Sequence, residues 1–155
     1  MTDLADLLVP RAVVAGLAAM SRKALFAQIA TIAAAAHGLS AATVADRLAE
    51  RERMGSTRFG GGIALPHARF EGLARVHGVF VRLARPLDFD AVDDAPVDLV
   101  FALLSPVDAG SDHLKALARV SRRLRDPAFA AKLRGAGSPD ALYALLAGEE
   151  ARDAA

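Results

Sequence analysis

Apolar positions along the chain recur with two different periods, and the changes of period lay out the elements. Leu25, Ile29, Ile32 and Ala36 share one helical stripe, so residues 22–37 read as a helix capped by Ser21 and stopped by Gly38. His37 sits in its last turn, where the helix dipole favours a protonated imidazole. Ser40 opens a second helix running to about Met54, with Val44 and Leu48 inward and Arg51 at the next place on that stripe. Residues 13–17, 76–83 and 97–104 are short apolar runs that suit strands. In the second run Val79, Val81 and Leu83 fall on one side and Phe80 on the other, as for a strand buried on both faces. Pro86 is expected to end that strand, and Ser105-Pro106 the next one. Residues 88–96 form an acidic turn region, and 107–110 a loop. Ser111 is read as the cap of a third helix with inward stripe Leu114, Leu117, Ser121 and Leu124. Asp126-Pro127 and Ser138-Pro139 open two shorter helices, the last with Leu142, Leu145 and Leu146 buried, before a frayed tail over 148–155. The expected fold is a three-layer α/β single domain, a mixed β-sheet flanked by helices on both faces, with its core over about 4–147.

One stretch departs from both periods. Gly60-Gly61-Gly62 gives way to Ile63-Ala64-Leu65, and then Pro66 delivers His67. Pro66 fixes its own φ and drives Leu65 towards extended geometry, so the chain reaches His67 with its backbone largely determined. That is a way to aim one imidazole nitrogen at a reactant. Taken alone, the stretch reads equally well as a strand end with a surface histidine.

Composition narrows the function classes. The 155 residues carry a formal net charge of +1, so no global field draws the chain to nucleic acid or anionic lipid. Arg119, Arg122, Arg123 and Arg125 cluster without interleaved aromatics, which makes a solvated face or an acidic-partner surface rather than a nucleic-acid signature. There is no cysteine, the first residues are acidic, and no apolar run reaches membrane-spanning length, so a cytoplasmic domain is expected. A metal centre is disfavoured, since zinc sites want three or four ligands at recognisable spacing. A serine hydrolase is disfavoured by the lack of a Gly-x-Ser-x-Gly elbow. No cofactor is implied.

The remaining chemistry gathers on His67, His113 and Arg51. A neutral imidazole is a nucleophile at neutral pH and can take a phosphoryl group. His113, in the first turn of the third helix, lies where free amides and the positive end of the dipole favour an anion. Arg51 adds a charge-assisted donor, about 1.5–3 kcal/mol for one such bond. Helix-end capping by His113 and surface snorkelling by Arg51 are the plainer alternatives. His77 reads as a surface or turn residue.

The ordered set Glu52, Phe59, Gly60 and Ile63-Ala64-Leu65-Pro66-His67-Ala68 resembles the signature of enzyme IIA domains of the fructose/mannitol type in the bacterial phosphotransferase system, closest to the nitrogen-regulatory branch. The resemblance spans roughly residues 4–146. It implies that His67 accepts the phosphoryl group through the nitrogen remote from the backbone, and that His113 and Arg51 stabilise it. The implied donor is a histidine phosphocarrier protein. The implied recipients are a regulated partner, such as a sensor kinase or potassium transport system, or a separate IIB domain. With no cysteine and no membrane-length apolar run, the resemblance implies that neither a IIB nor a IIC part is expected in this chain, which favours the regulatory branch. Arg58 departs from the smaller residue the family often carries, and Gly61 from an asparagine nearby.

Overall fold

A computed structural model describes residues 4–89 and 96–148. Most of the acidic turn region and of the terminal tail lies outside the described residues. The strands are β1 (Val13–Leu17), β2 (Arg58–Gly60), β3 (Ile63–Ala64), β4 (His67–Phe70), β5 (His77–Leu87) and β6 (Val97–Pro106). The helices are α1 (Arg22–His37), α2 (Ala41–Arg53), α3 (Ser111–Leu124), α4 (Pro127–Gly135) and α5 (Pro139–Ala147). Sheet order is β1-β5-β6-β3-β2, with β4 also paired to β6. The sheet is mixed: β5 runs antiparallel to β6, while β3 and β4 run parallel to it.

Alternation over residues 79–83 of β5 and 99–104 of β6 builds the three layers. Val79, Val81, Val100, Ala102 and Leu104 point to one face and pack against Leu25, Ile29, Val44 and Leu48 of α1 and α2. Phe80, Leu99, Phe101 and Leu103 point to the other and pack against α3, α4 and α5. Each face thus buries its own helices, as expected from the runs of residues apolar on both sides.

The caps follow chemistry. Ser21, Ser40, Asp126 and Ser138 each accept a hydrogen bond from a first-turn amide, at 3.1, 3.3, 3.0 and 3.1 Å. Helix α3 is the exception. Its cap is Gly110 with φ 59°, and Ser111 is the first helical residue rather than the cap. Its inward stripe is His113, Ala116, Val120 and Leu124, while Leu114 is 64% exposed. The expected stripe is therefore displaced, because a histidine rather than a leucine takes the first buried place. Leu145 is half-buried rather than buried. Pro86 does not end β5, since the β5–β6 register is irregular between Arg82 and Leu87, where a proline need not donate to the ladder.

Two local devices set the path to the site. Gly62 has φ 78°, and a Cβ there would stand 2.8 Å from Arg134 Nη2. The turn is held where Arg134 donates to Gly61 O (2.6 Å) and to Asp98. Beyond it, β3 and β4 follow β6 in one register, Ala64 opposite Val100 and His67 opposite Leu103. Leu65-Pro66 interrupts the ladder only in part, for the Pro66 carbonyl still accepts from Leu103 N at 2.9 Å.

Candidate functional site

His67 begins β4 and is partly exposed. Its Nδ1 lies 2.7 Å from Leu65 O. A carbonyl only accepts, so Nδ1 carries the proton and Nε2 keeps its lone pair. Burial pushes the His67 pKa below its ordinary value and Arg51 lowers it further, while the Leu65 carbonyl and Glu52 oppose them. The ring is thus held neutral at neutral pH, with its remote nitrogen unprotonated.

His113 faces it from the first turn of α3, ring centroids 5.4 Å apart and planes tilted by 52°. It is buried, with Nδ1 2.5 Å from Ser105 Oγ. Burial, with Arg69 and His67, lowers its pKa to about 4. A neutral ring, not an imidazolium, therefore stands at the helix start.

Arg51 reaches the same hollow from α2. An open cavity of about 330 Å³ is lined by Arg47, Glu50, Arg51 and Met54 of α2, by His67, Ala68 and Arg69 of β4, and by His113. Arg51 Nη1 donates to Gly55 O at 2.9 Å. One bond uses one of five guanidinium hydrogens. The inward place beside it belongs to Glu52, which is buried: Thr57 Oγ1 donates to it at 2.7 Å and Thr57 N at 3.2 Å. Arg22 lies 3.4 Å away. Arg51 is thus not on the packing face but beside it, at the cavity edge. Glu52 ties the end of α2 to the segment that leads into β2.

Three participants were not singled out by the sequence. Arg69 follows His67 by two strand positions and lines the same cavity, a relation that strand alternation offers once β4 is known. Arg47 precedes Arg51 by one helical turn and donates to Arg69 O at 3.2 Å. Ser105, the expected strand stop, is fully buried inside β6. A lone hydroxyl at the end of an apolar run was its signal.

Other expectations shift. His37 does not act as a charged helix end: burial lowers its pKa, its Nε2 donates to Gly78 O at 3.1 Å, and it stacks on His77 at 4.3 Å between centroids. His77 is a partly buried first strand residue rather than a turn. The arginines of α3 do not form a simple solvated face. Arg119 grips Asp6 with two bonds, at 2.9 and 2.6 Å, and Arg123 lies 3.5 Å over the Phe129 ring. Arg125, just past the helix, lies 5.2 Å over Phe59. A larger hollow of about 490 Å³ between α1 and α2 is lined by Arg22, Lys23, Phe26, Asp46 and Glu52 among others, and none of the four histidines borders it. No helix among the described residues is long and apolar enough to cross a membrane.

Comparison with known proteins adds a second line of observation. The family described as "Phosphoenolpyruvate-dependent sugar phosphotransferase system, EIIA 2" matches residues 6–148. The nitrogen regulatory protein of Bradyrhizobium diazoefficiens is 44% identical over 144 residues, covering 93% of this chain and 94% of that one. A fructose-specific EIIA component from Haloferax volcanii is 39% identical over 102 residues, 66% of each chain. The crystal structure of nitrogen regulatory protein IIA-Ntr from Neisseria meningitidis superposes with a TM-score of 0.85 at 32% identity, over 92% of this chain and 97% of that one.

Proposed function

The chain belongs to the EIIA 2 family of the phosphoenolpyruvate-dependent sugar phosphotransferase system, and from that premise we propose that it takes a phosphoryl group onto His67 Nε2 and acts as a nitrogen-type regulatory phosphoprotein. One observation carries the chemistry: Leu65 O holds the proton on Nδ1, which leaves Nε2 as the nucleophile in a cavity lined by arginines.

The donor is a phospho-histidine of a carrier protein. Its P–N bond breaks as a new P–N bond forms at His67 Nε2, and its imidazole leaves. The Nδ1 hydrogen stays on the ring and keeps its bond to Leu65 O, so the positive charge that develops on the ring is met by a carbonyl dipole. Arg51 and His113 stabilise the phosphoryl oxygens, with Arg69 adding positive potential. Preorganised donors of this kind act most where water is sparse. The Glu50 carboxylate shares the cavity and favours turnover over permanent retention of the anion.

The output is a protein contact. Met54 is 80% exposed at the cavity and Leu114 is 64% exposed next to His113, so an apolar rim borders the charge that phosphorylation would place. A dianion there changes which partner surface fits. The regulated partner is of the kind exemplified by a sensor kinase or potassium transport system, and the protein works in the cytoplasm. The second reading, a sugar-type component that passes the group to a separate IIB domain, rests on the fructose-specific relative. The longer and closer match to a nitrogen regulatory protein favours the first.

The test is intact-protein mass spectrometry under alkaline conditions after incubation with phosphoenolpyruvate, enzyme I and histidine phosphocarrier protein. One phosphoryl adduct, absent in His67→Ala, supports the reading. Full labelling of His67→Ala contradicts it. Quantitative loss of the adduct to an added IIB domain moves the assignment to the sugar-type reading.

A further inference from the structure

Two rings that face each other across a cavity could in principle exchange roles, and the two hydrogen bonds behind them decide whether they do. Behind His67 stands a carbonyl, which leaves no choice of tautomer. Behind His113 stands a hydroxyl, which can donate or accept. Its surroundings remove that freedom. Ser105 is 0% exposed, and its Oγ lies 2.5 Å from His113 Nδ1. Among the described residues the hydroxyl has no other hydrogen-bond partner. If Nδ1 carried the hydrogen and Ser105 accepted it, the Ser105 hydroxyl hydrogen would be buried without an acceptor. If the hydroxyl donates, every group is satisfied. The penalty on the first arrangement is a bias of about ten- to a hundredfold towards the second.

We infer that Ser105 is a positioning residue that holds His113 as the Nε2–H tautomer, so that the pair presents one nucleophilic nitrogen and one donor hydrogen and cannot exchange roles. Because His113 has a pKa of about 4, its ring carries a single proton at neutral pH, and the tautomer alone decides what Nε2 offers. With Nδ1 bonded to Ser105 inside the protein, Nε2–H is the hydrogen available to a phosphoryl oxygen on His67. The same bond makes His113 a poor acceptor, since its cavity-side nitrogen has no lone pair to attack with. Ser105 thereby assigns acceptor and donor without adding any charge to the site. It does so from β6, whose register places it opposite Arg69, two residues beyond His67 along the neighbouring strand.

The catalytic consequence rests on the proposed phosphoryl acceptance at His67, whereas the tautomer does not, and the experiment separates the two. Long-range proton–nitrogen correlation spectra of the 15N-labelled full chain at neutral pH read both ring nitrogens of His113. The expected spectrum has Nδ1 unprotonated and Nε2 protonated. In Ser105→Ala, His113 becomes a mixture of tautomers, and the phosphoryl acceptance rate at His67 falls about tenfold with unchanged final stoichiometry, the loss expected for one hydrogen bond. Ser105→Thr keeps the hydroxyl and restores both readouts. A wild-type spectrum with the hydrogen on Nδ1 overturns the inference without any variant, so a misfolded Ser105→Ala leaves it testable. An unchanged tautomer and rate in a folded Ser105→Ala, or a slowed rate that Ser105→Thr does not restore, overturns it as well. A wild-type chain that takes no phosphoryl group from a competent donor contradicts the proposed function, while the spectrum still decides the tautomer.

Discussion

The four histidines of this chain form two pairs, and the contrast between them shows what proximity does and does not make. His37 and His77 are the closer pair, stacked at 4.3 Å with planes 29° apart. His67 and His113 are 5.4 Å apart and tilted by 52°. In all four, burial is the main influence lowering the pKa. What differs is where the ring nitrogens point and what surrounds them. In the first pair His37 Nε2 is spent on Gly78 O, and the rings cover one another. In the second, both Nδ1 atoms are tied behind the rings, and the rings border a cavity shared with Arg47, Arg51 and Arg69. A closer pair is thus a packing device, and a looser one with anchored backs is a candidate site.

Substitutions that separate the pairs should do so by large margins. His67→Ala is expected to abolish phosphoryl acceptance, read by intact mass, with thermal unfolding nearly unchanged because the ring is partly exposed. His113→Ala should slow acceptance about a hundredfold while leaving the final stoichiometry intact, the usual cost of losing one preorganised donor. Arg51→Ala should cost less, about tenfold, since Arg69 remains beside the site. Both are read by rapid-quench time courses.

The other pair should behave in the opposite sense. His37→Ala is expected to leave acceptance within about twofold and to lower stability by about 1–2 kcal/mol in urea titration, from the lost bond to Gly78 O and the lost ring contact. A loss of acceptance in that variant would dissolve the contrast. The smallest expected effect is on pH dependence. His77 and His113 have folded pKa values of about 4 against an ordinary 6.5. The unfolded chain therefore binds more protons between those values, and stability falls as the pH drops from about 6.5 to about 4. His77→Gln should flatten that slope without changing stability's dependence above pH 7, which urea midpoints across the range would show.

Much of this was legible in the sequence, and the failures share a cause. The apolar runs, the serine and aspartate caps and the Gly–Pro–His path follow from local chemistry, and they place β1, α1, α2, α4, α5 and the approach to His67. The errors fall where a polar residue holds an inward place. On α3 the buried His113 displaces the expected leucine stripe by one residue. On α2 the buried Glu52 takes the place assigned to its neighbour Arg51, because Thr57 satisfies its carboxylate. On β6 the buried Ser105 passes for a strand end, because its partner lies on another element. Periodicity counts apolar residues, so it misses positions where burial is sustained by a hydrogen bond between distant elements. Those are the positions that shape the site. The proximity of Arg69 and Arg47 to His67 was likewise hidden until the β4–β6 register and the place of α2 were known.

The most direct measurement is the nitrogen spectrum of the phosphorylated, 15N-labelled protein, with phosphorus coupling used to identify the substituted ring atom. Coupling is expected at His67 Nε2 alone, with the Nδ1 hydrogen retained towards Leu65. Coupling at His67 Nδ1, or at either nitrogen of His113, would contradict it.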